Sequence, residues 1–152
     1  MAVFRKEGKD NLTSTFLKKA STAISANSVL SVEPTTGLLI PATATTNNVK
    51  GISRAKIAST DTDYTTAREI LIDVPRPSEI FEMDCNTTIT QAMVGDLFDL
   101  ADANTVDNSD ALGAIDVIEI VGIKQPTYTS ATNPSVAYVR FVPSVLFGVS
   151  AT

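Results

Sequence analysis

Histidine and tryptophan are absent from the 152 residues, and cysteine occurs once. Without histidine the chain lacks the commonest general acid–base and the commonest metal ligand. One thiol, Cys85, excludes an internal disulfide. Its neighbour Asp84 raises a thiol pKa, so Cys85 reads as a small, packed, unreactive apolar residue. The seven glycines stand singly instead of clustering into a phosphate-binding loop. No run approaches the roughly 20 apolar residues of a membrane-spanning helix. The first six residues, Met-Ala-Val-Phe-Arg-Lys, have no apolar stretch of the kind a secretion signal carries. The chain is therefore expected to stay in the cytosol, or to end inside something assembled there. On that reading the two N-x-T sites, Asn11 and Asn86, are chance products of a threonine-rich sequence.

What is abundant is Thr, Ser, Val, Ile and Ala, the makings of β-sheets with polar outer faces. The length suits one domain with a real core, since a chain of this size buries roughly 70% of its extended surface on folding. The net charge of −5 is uneven. Within 1–19, Arg5, Lys6, Lys9, Lys18 and Lys19 outnumber Glu7 and Asp10, giving +3 and leaving −8 on the remainder. An acidic body repels phosphate backbones and argues against nucleic-acid binding.

Residues 1–20 show no β alternation. Asn11 is placed to cap a short helix carrying Leu12, Phe16 and Leu17 on one side, with Lys18 and Lys19 at its C-terminal end. Phe4, Leu12, Phe16 and Leu17 are too apolar for a segment that only floats, so 1–23 is read as an arm that folds against something and 24–152 as the body. In the body, 28–33 alternates as a strand. Pro34-Thr35-Thr36-Gly37 forms a turn with glycine where positive φ is wanted, and 38–40 returns as a hairpin partner. A strand follows over 50–57, with Gly51 marking a bulge or close backbone approach. Next come 69–74, with Ile70 and Ile72 on one face, and then 78–83. One helical turn through Gln91, Ala92 and Met93, capped by Thr88 or Thr90, closes at Gly95. Strands are expected over 96–100, 115–123 and 135–142, the last two paired. About nine strands with one short helix make a mainly β protein, a small barrel or sandwich with an extended N-terminal arm.

Three constellations bear on chemistry. Asp96, Asp99, Asp102, Asn104, Asp107, Asn108 and Asp110 offer hard oxygen ligands in one acidic loop, but neither the glycine nor the closing glutamate of an EF-hand is in place. Ser21 follows Lys18 by three residues, the weakest form of a Ser–Lys dyad. Glu69, Glu79, Glu82 and Glu119 lie in strands without the aromatic platform of a sugar-cleaving site. The chain is thus read as a non-enzyme with no cofactor and no bound metal.

The stretch NSVLSVEPTTGLLIPATATTNNVKGISRA, then TTITQAMVGDLFDL, ADANTVDNSDA, IDVIEIVGI and AYVRFV resembles the small β-barrel decoration (cement, or head-stabilisation) proteins of tailed bacteriophage capsids. Gly37, Gly51 and the Val94-Gly95-Asp96-Leu97 corner carry the resemblance, which spans 26–142. It implies a virion protein, commonly a homotrimer, made in the host cytoplasm and bound outside the expanded head. Its partner would be the major capsid protein, often reached through an N-terminal arm, with no contact to nucleic acid or membrane. On that expectation Val3, Phe4, Arg5, Lys6, Phe16 and Leu17 are the capsid anchors. The apolar tail with Val145, Leu146 and Phe147 departs from the pattern and reads as one more strand or part of a subunit interface. The competing reading is a β-sandwich adhesion module of a phage fibre or tail, for which only Tyr64, Tyr128 and Tyr138 could supply aromatic contacts.

Overall fold

In the computed structural model the described residues are 3–7, 13–109, 115–130 and 132–146, with the backbone alone described over 4–7. They form eleven strands and two single 3-10 turns. The strands are β1 (Phe4–Glu7), β2 (Thr13–Leu17), β3 (Val29–Val32), β4 (Leu39–Pro41), β5 (Gly51–Ser53), β6 (Glu69–Asp73), β7 (Ile80–Cys85), β8 (Leu97–Leu100), β9 (Thr105–Asp107), β10 (Ile118–Gln125) and β11 (Ser135–Phe141). The protein is mainly β, with two sheets and almost no helix.

One sheet runs β1-β7-β11-β10-β8-β9. It closes because β9 pairs antiparallel with β8 and also parallel with the end of β7, through Asp84↔Thr105 and Cys85↔Val106. β1 takes the other part of the same β7 edge, at Ile80, Phe81 and Glu82. Alternation along the strands turns Phe81, Met83, Cys85, Phe98, Leu100, Val106, Ile118, Ile120, Ala137, Val139 and Phe141 into a buried interior. Phe81 and Phe141 meet edge to face at 5.4 Å.

The second sheet runs β2-β6-β5-β3-β4. A parallel bridge between Lys18 and Leu39 brings β4 back to the end of β2, so this sheet too curls on itself. Ile24, Leu30, Val32, Leu39, Ile57, Ile70 and Ile72 fill it, with Phe16 and Tyr64 packed against them. All four residues of β3 are buried because the strand is a shared wall. Leu30 and Val32 face the second core, whereas Val29, with Ile52 of β5 beside it, belongs to the first. Gly51 sits in that wall, where a Cβ would stand 2.6 Å from the Asp73 carbonyl oxygen. The close backbone approach read from the sequence is therefore real. The Pro34–Gly37 turn is also as expected, with Gly37 at φ +71° donating its N–H to the Glu33 carbonyl at 2.8 Å.

The N-terminal segment differs from its sequence reading. Thr13–Leu17 is a strand, hydrogen-bonded in register from Thr13↔Asp73 to Leu17↔Glu69. The helix expected there is displaced because β6 offers a complete ladder, and tertiary pairing outweighs a weak local preference. Asn11 and Leu12 lie outside the described residues. The described residues of segment 1–23 thus supply an edge strand to each sheet. The acidic loop likewise contains an unexpected strand, β9, whose Val106 is fully buried.

Lys18 is fully buried where the second sheet closes. Its ammonium donates to the carbonyls of Thr66 at 2.8 Å, Tyr64 at 3.1 Å and Lys19 at 3.2 Å, so its three N–H bonds match three acceptors. The loop ahead of β6 is thereby tied to the seam. Lys18→Met keeps the aliphatic stem and strands the carbonyls. Chemical denaturation should show a loss of about 3 kcal/mol, and an unchanged midpoint would remove Lys18 from the closure.

Candidate functional site

Two surfaces stand out, one apolar on the second sheet and one polar on the first. The apolar one follows from strand alternation. In β2, Phe16 points inward while Thr13, Thr15 and Leu17 point out, and in β6 Ile70 and Ile72 point in while Glu69 and Leu71 point out. Thr15 faces Leu71 and Leu17 faces Glu69 across the ladder, which sets Leu17 and Leu71 diagonally on one outer face. They are the exposed large hydrophobic residues among those described, at 47% and 42%. Phe16 lies beneath, half-buried, with the Lys50 ammonium 4.1 Å from its ring centre.

The expected anchors are therefore divided. Leu17 is presented to solvent, Phe16 belongs to the second core, and Val3 is 2% exposed inside the first. Phe4, Arg5 and Lys6 are strand residues of β1. Val145 and Leu146 are buried in the first core, where the Val145 carbonyl accepts from the Val49 N–H at 2.7 Å and Leu146 bridges to Val49. The apolar tail is thus covered within the protomer at these positions. Phe147 lies outside the described residues.

The polar surface is a pocket of about 300 Å³ lined by Asp84, Cys85, Asn86, Asp102, Asn104, Thr105, Tyr128 and Pro134. The β7–β9 pairing builds it by drawing Asp84 and Thr105 together. Burial pushes the Asp84 carboxyl above the usual carboxylate range; the α-amino charge opposes this and Asp102 adds to it. Cys85 behind it is fully buried, and burial followed by the Asp84 charge pushes its thiol up to about 12. Asp110 lies outside the described residues, and three other side chains of the acidic loop are committed locally. Asp99 accepts from the Ile115 and Asp116 N–H groups. Asp107 accepts from Ser109 and Asn86, which holds its carboxyl below the usual range. Asn108 is locked between Thr87 and Thr88. Among the described residues no group of three or more potential metal-ligating side chains converges.

The other sequence candidates are dispersed. Lys18 bonds to carbonyls and not to Ser21, which is exposed at φ +52°. Glu79, Glu82 and Glu119 form ion pairs with Arg76, Lys124 and Arg140, respectively. Tyr64, Tyr128 and Tyr138 are each partly covered. The Leu17–Leu71 pair needed the β2–β6 register, and the Asp84 pocket needed the parallel β7–β9 pairing; neither is readable from spacing along the chain.

Cys85 should resist a thiol reagent at pH 8 in the folded protein and react fully once the chain is unfolded in denaturant. A raised native pKa makes the Asp84 contribution fully favourable below the unfolded carboxylate range and progressively lost as pH rises through the native value. Asp84→Asn should accordingly raise the thermal midpoint at pH 7 and leave it unchanged near pH 3. An equal effect at both pH values would contradict that assignment. No protein-family model matches the chain, and no curated protein matches it.

Proposed function

We propose that this is a structural, non-catalytic virion protein that binds the outside of an expanded phage capsid and stabilises it. The observation that carries the reading is the exposed Leu17–Leu71 pair on the β2–β6 face, because Leu17 belongs to the N-terminal segment in which the resemblance leads us to expect the capsid anchors. The resemblance in strand and turn order to capsid decoration proteins supports the same function. Docking on the major capsid protein then uses a rigid sheet face instead of a loose arm. A rigid face loses less conformational entropy on binding than a segment that must first order.

The mechanism is mechanical. An interface of about 1,000 Å² suffices for a specific contact. Assembly as a homotrimer would raise avidity by about 10²–10⁴. Preference for the expanded lattice stabilises that state in proportion to its occupancy.

The test is co-sedimentation of the purified protein with undecorated shells, expanded and unexpanded. Saturable binding to expanded shells alone is expected. Leu17→Asp/Leu71→Asp should weaken it by more than about tenfold, since burial of each leucine is worth roughly 1.5–3 kcal/mol, without lowering the thermal midpoint. Binding to neither shell by the unaltered protein would remove the capsid role and bring forward a fibre or tail adhesion module. Full binding by the double variant would move the docking surface elsewhere.

A further inference from the structure

We propose that the outer edge of β2 pairs antiparallel with the same edge of a second copy of this chain, about a two-fold axis at Thr15. β2 is the end strand of its sheet. Its ladder to β6 runs without a bulge from Thr13↔Asp73 to Leu17↔Glu69. The next step is the Lys18 N–H donating to the Arg68 carbonyl at 2.9 Å. Opposed residues in an antiparallel pair alternate between those that exchange hydrogen bonds and those that do not. Ser14, Phe16 and Lys18 therefore bond towards β6, and the backbone N–H and C=O groups of Thr13, Thr15 and Leu17 point the other way. Lys19, the next of that outward series, donates to the Leu39 carbonyl at 3.0 Å. The seam thus closes only past the end of β2, and the three residues ahead of it form an open row among the described residues.

Such edges are ordinarily guarded by charge, proline or a bulge. β4, at the other end of the sheet, finishes in Pro41, and its Leu39 carbonyl is taken by Lys19. β1 carries Arg5, Lys6 and Glu7 and a register shift. Thr13–Leu17 has no charge, proline, glycine or bulge. A second copy fits this edge because the row is symmetric. Centring on Thr15 opposes Thr15 to itself and Thr13 to Leu17, and each pair exchanges N–H···O bonds in both directions. Centring on Leu17 would set Thr15 against Lys19, whose N–H is already engaged. No charged side chain of β2 meets its like in the pairing. On the outer face Thr13 lies beside the copy's Leu17 and widens the apolar surface that Leu17 and Leu71 begin. On the inner face Ser14 lies beside the half-buried Phe16. Both edges are ordered beforehand, so pairing avoids the entropy that a loose peptide loses on binding. One added strand of five residues falls short of the roughly 1,600 Å² of a standard interface, so the dimer depends on concentration. The inference does not rest on the capsid reading, since pairing uses the strand edge and leaves the outer face open.

The test is sedimentation equilibrium of the full chain alone, from about 10 μM to about 1 mM. The mass should rise from one protomer towards two. Thr15→Pro removes an outward N–H and spares the β6 ladder, so it should weaken the dimer at least about tenfold and keep a cooperative thermal transition. Thr15→Lys and Thr15→Glu, each setting like charges face to face across the axis, should weaken it similarly. An equimolar mixture of those two variants should regain the dimer, because opposite charges directly across strands attract. If Thr15→Pro fails to fold, the charge variants decide alone. A monomer at every concentration would overturn the proposal. So would association that the charge variants leave unchanged, a trimer built on another surface included, or a mixture that stays monomeric. Shell binding is not read here, so either outcome leaves the capsid reading to its own test.

Discussion

A strand buried on both faces is the constraint from which the rest of the architecture follows. β3 must present apolar groups to two cores at once, so Val29 faces one while Leu30 and Val32 face the other. Its remaining residue, Ser31, is buried and therefore needs a partner, which it finds in the Asn48 side-chain oxygen at 2.5 Å. The same oxygen accepts from the Val32 N–H at 3.1 Å, so one loop amide satisfies two groups of the wall. β5 beside it carries Gly51 against the Asp73 carbonyl and a fully buried Ser53 that bonds to the Ala55 carbonyl at 2.6 Å. Neither core is large, and sharing a wall lets each exclude water from a side it could not cover alone.

Closure is the second condition. Open sheet edges offer unpaired N–H and C=O groups to other chains. β9 closes the first sheet by using both of its edges, and the Lys18–Leu39 bridge closes the second. The N-terminal segment serves both sheets, through β1 on β7 and β2 on β6. It holds the two halves together by backbone pairing while leaving the outer side chains of β2 exposed. Two of the positive charges that made this segment resemble an arm have structural partners: Lys18 three carbonyls, and Lys19 the Glu33 carboxylate at 2.5 Å.

The outer faces carry spaced ion pairs, among them Arg140 with Glu119 and Lys124 with Glu82. Exposed pairs of this kind contribute about 0–1 kcal/mol each, so they shape solubility and surface charge more than stability. Two features differ from that background. Leu17 and Leu71 break a polar sheet face, and Asp84 is a carboxylate held 9% exposed in the wall of a pocket. The first suits a contact driven by burial, and the two lie on different sheets.

Periodicity and turn chemistry were enough to read the mainly β class, the β3–β4 hairpin with Gly37, the inward pair Ile70 and Ile72, the pairing of β10 with β11, and the tight approach at Gly51. Each of these is local: alternation over five to eight residues, or a glycine where no Cβ fits. The residues carrying the resemblance to capsid decoration proteins belong to this same local layer. Long-range pairing was not readable. β2 lacks a strand pattern in the sequence because its inner face pairs Ser14 with Phe16 and its outer face mixes threonine with leucine. β9 is three residues in an acidic stretch, and becomes a strand because β7 and β8 supply partners on both sides. Burial of Val145 and Leu146, exposure of Leu17, and the meeting of Asp84 with Asp102 depend on which segments the closed sheets bring together. The sequence by itself determined which residues prefer strands and turns, since those preferences act between near neighbours. The tertiary structure alone decided which apolar side chains were covered and which carboxylates shared a pocket, since both depend on partners distant along the chain.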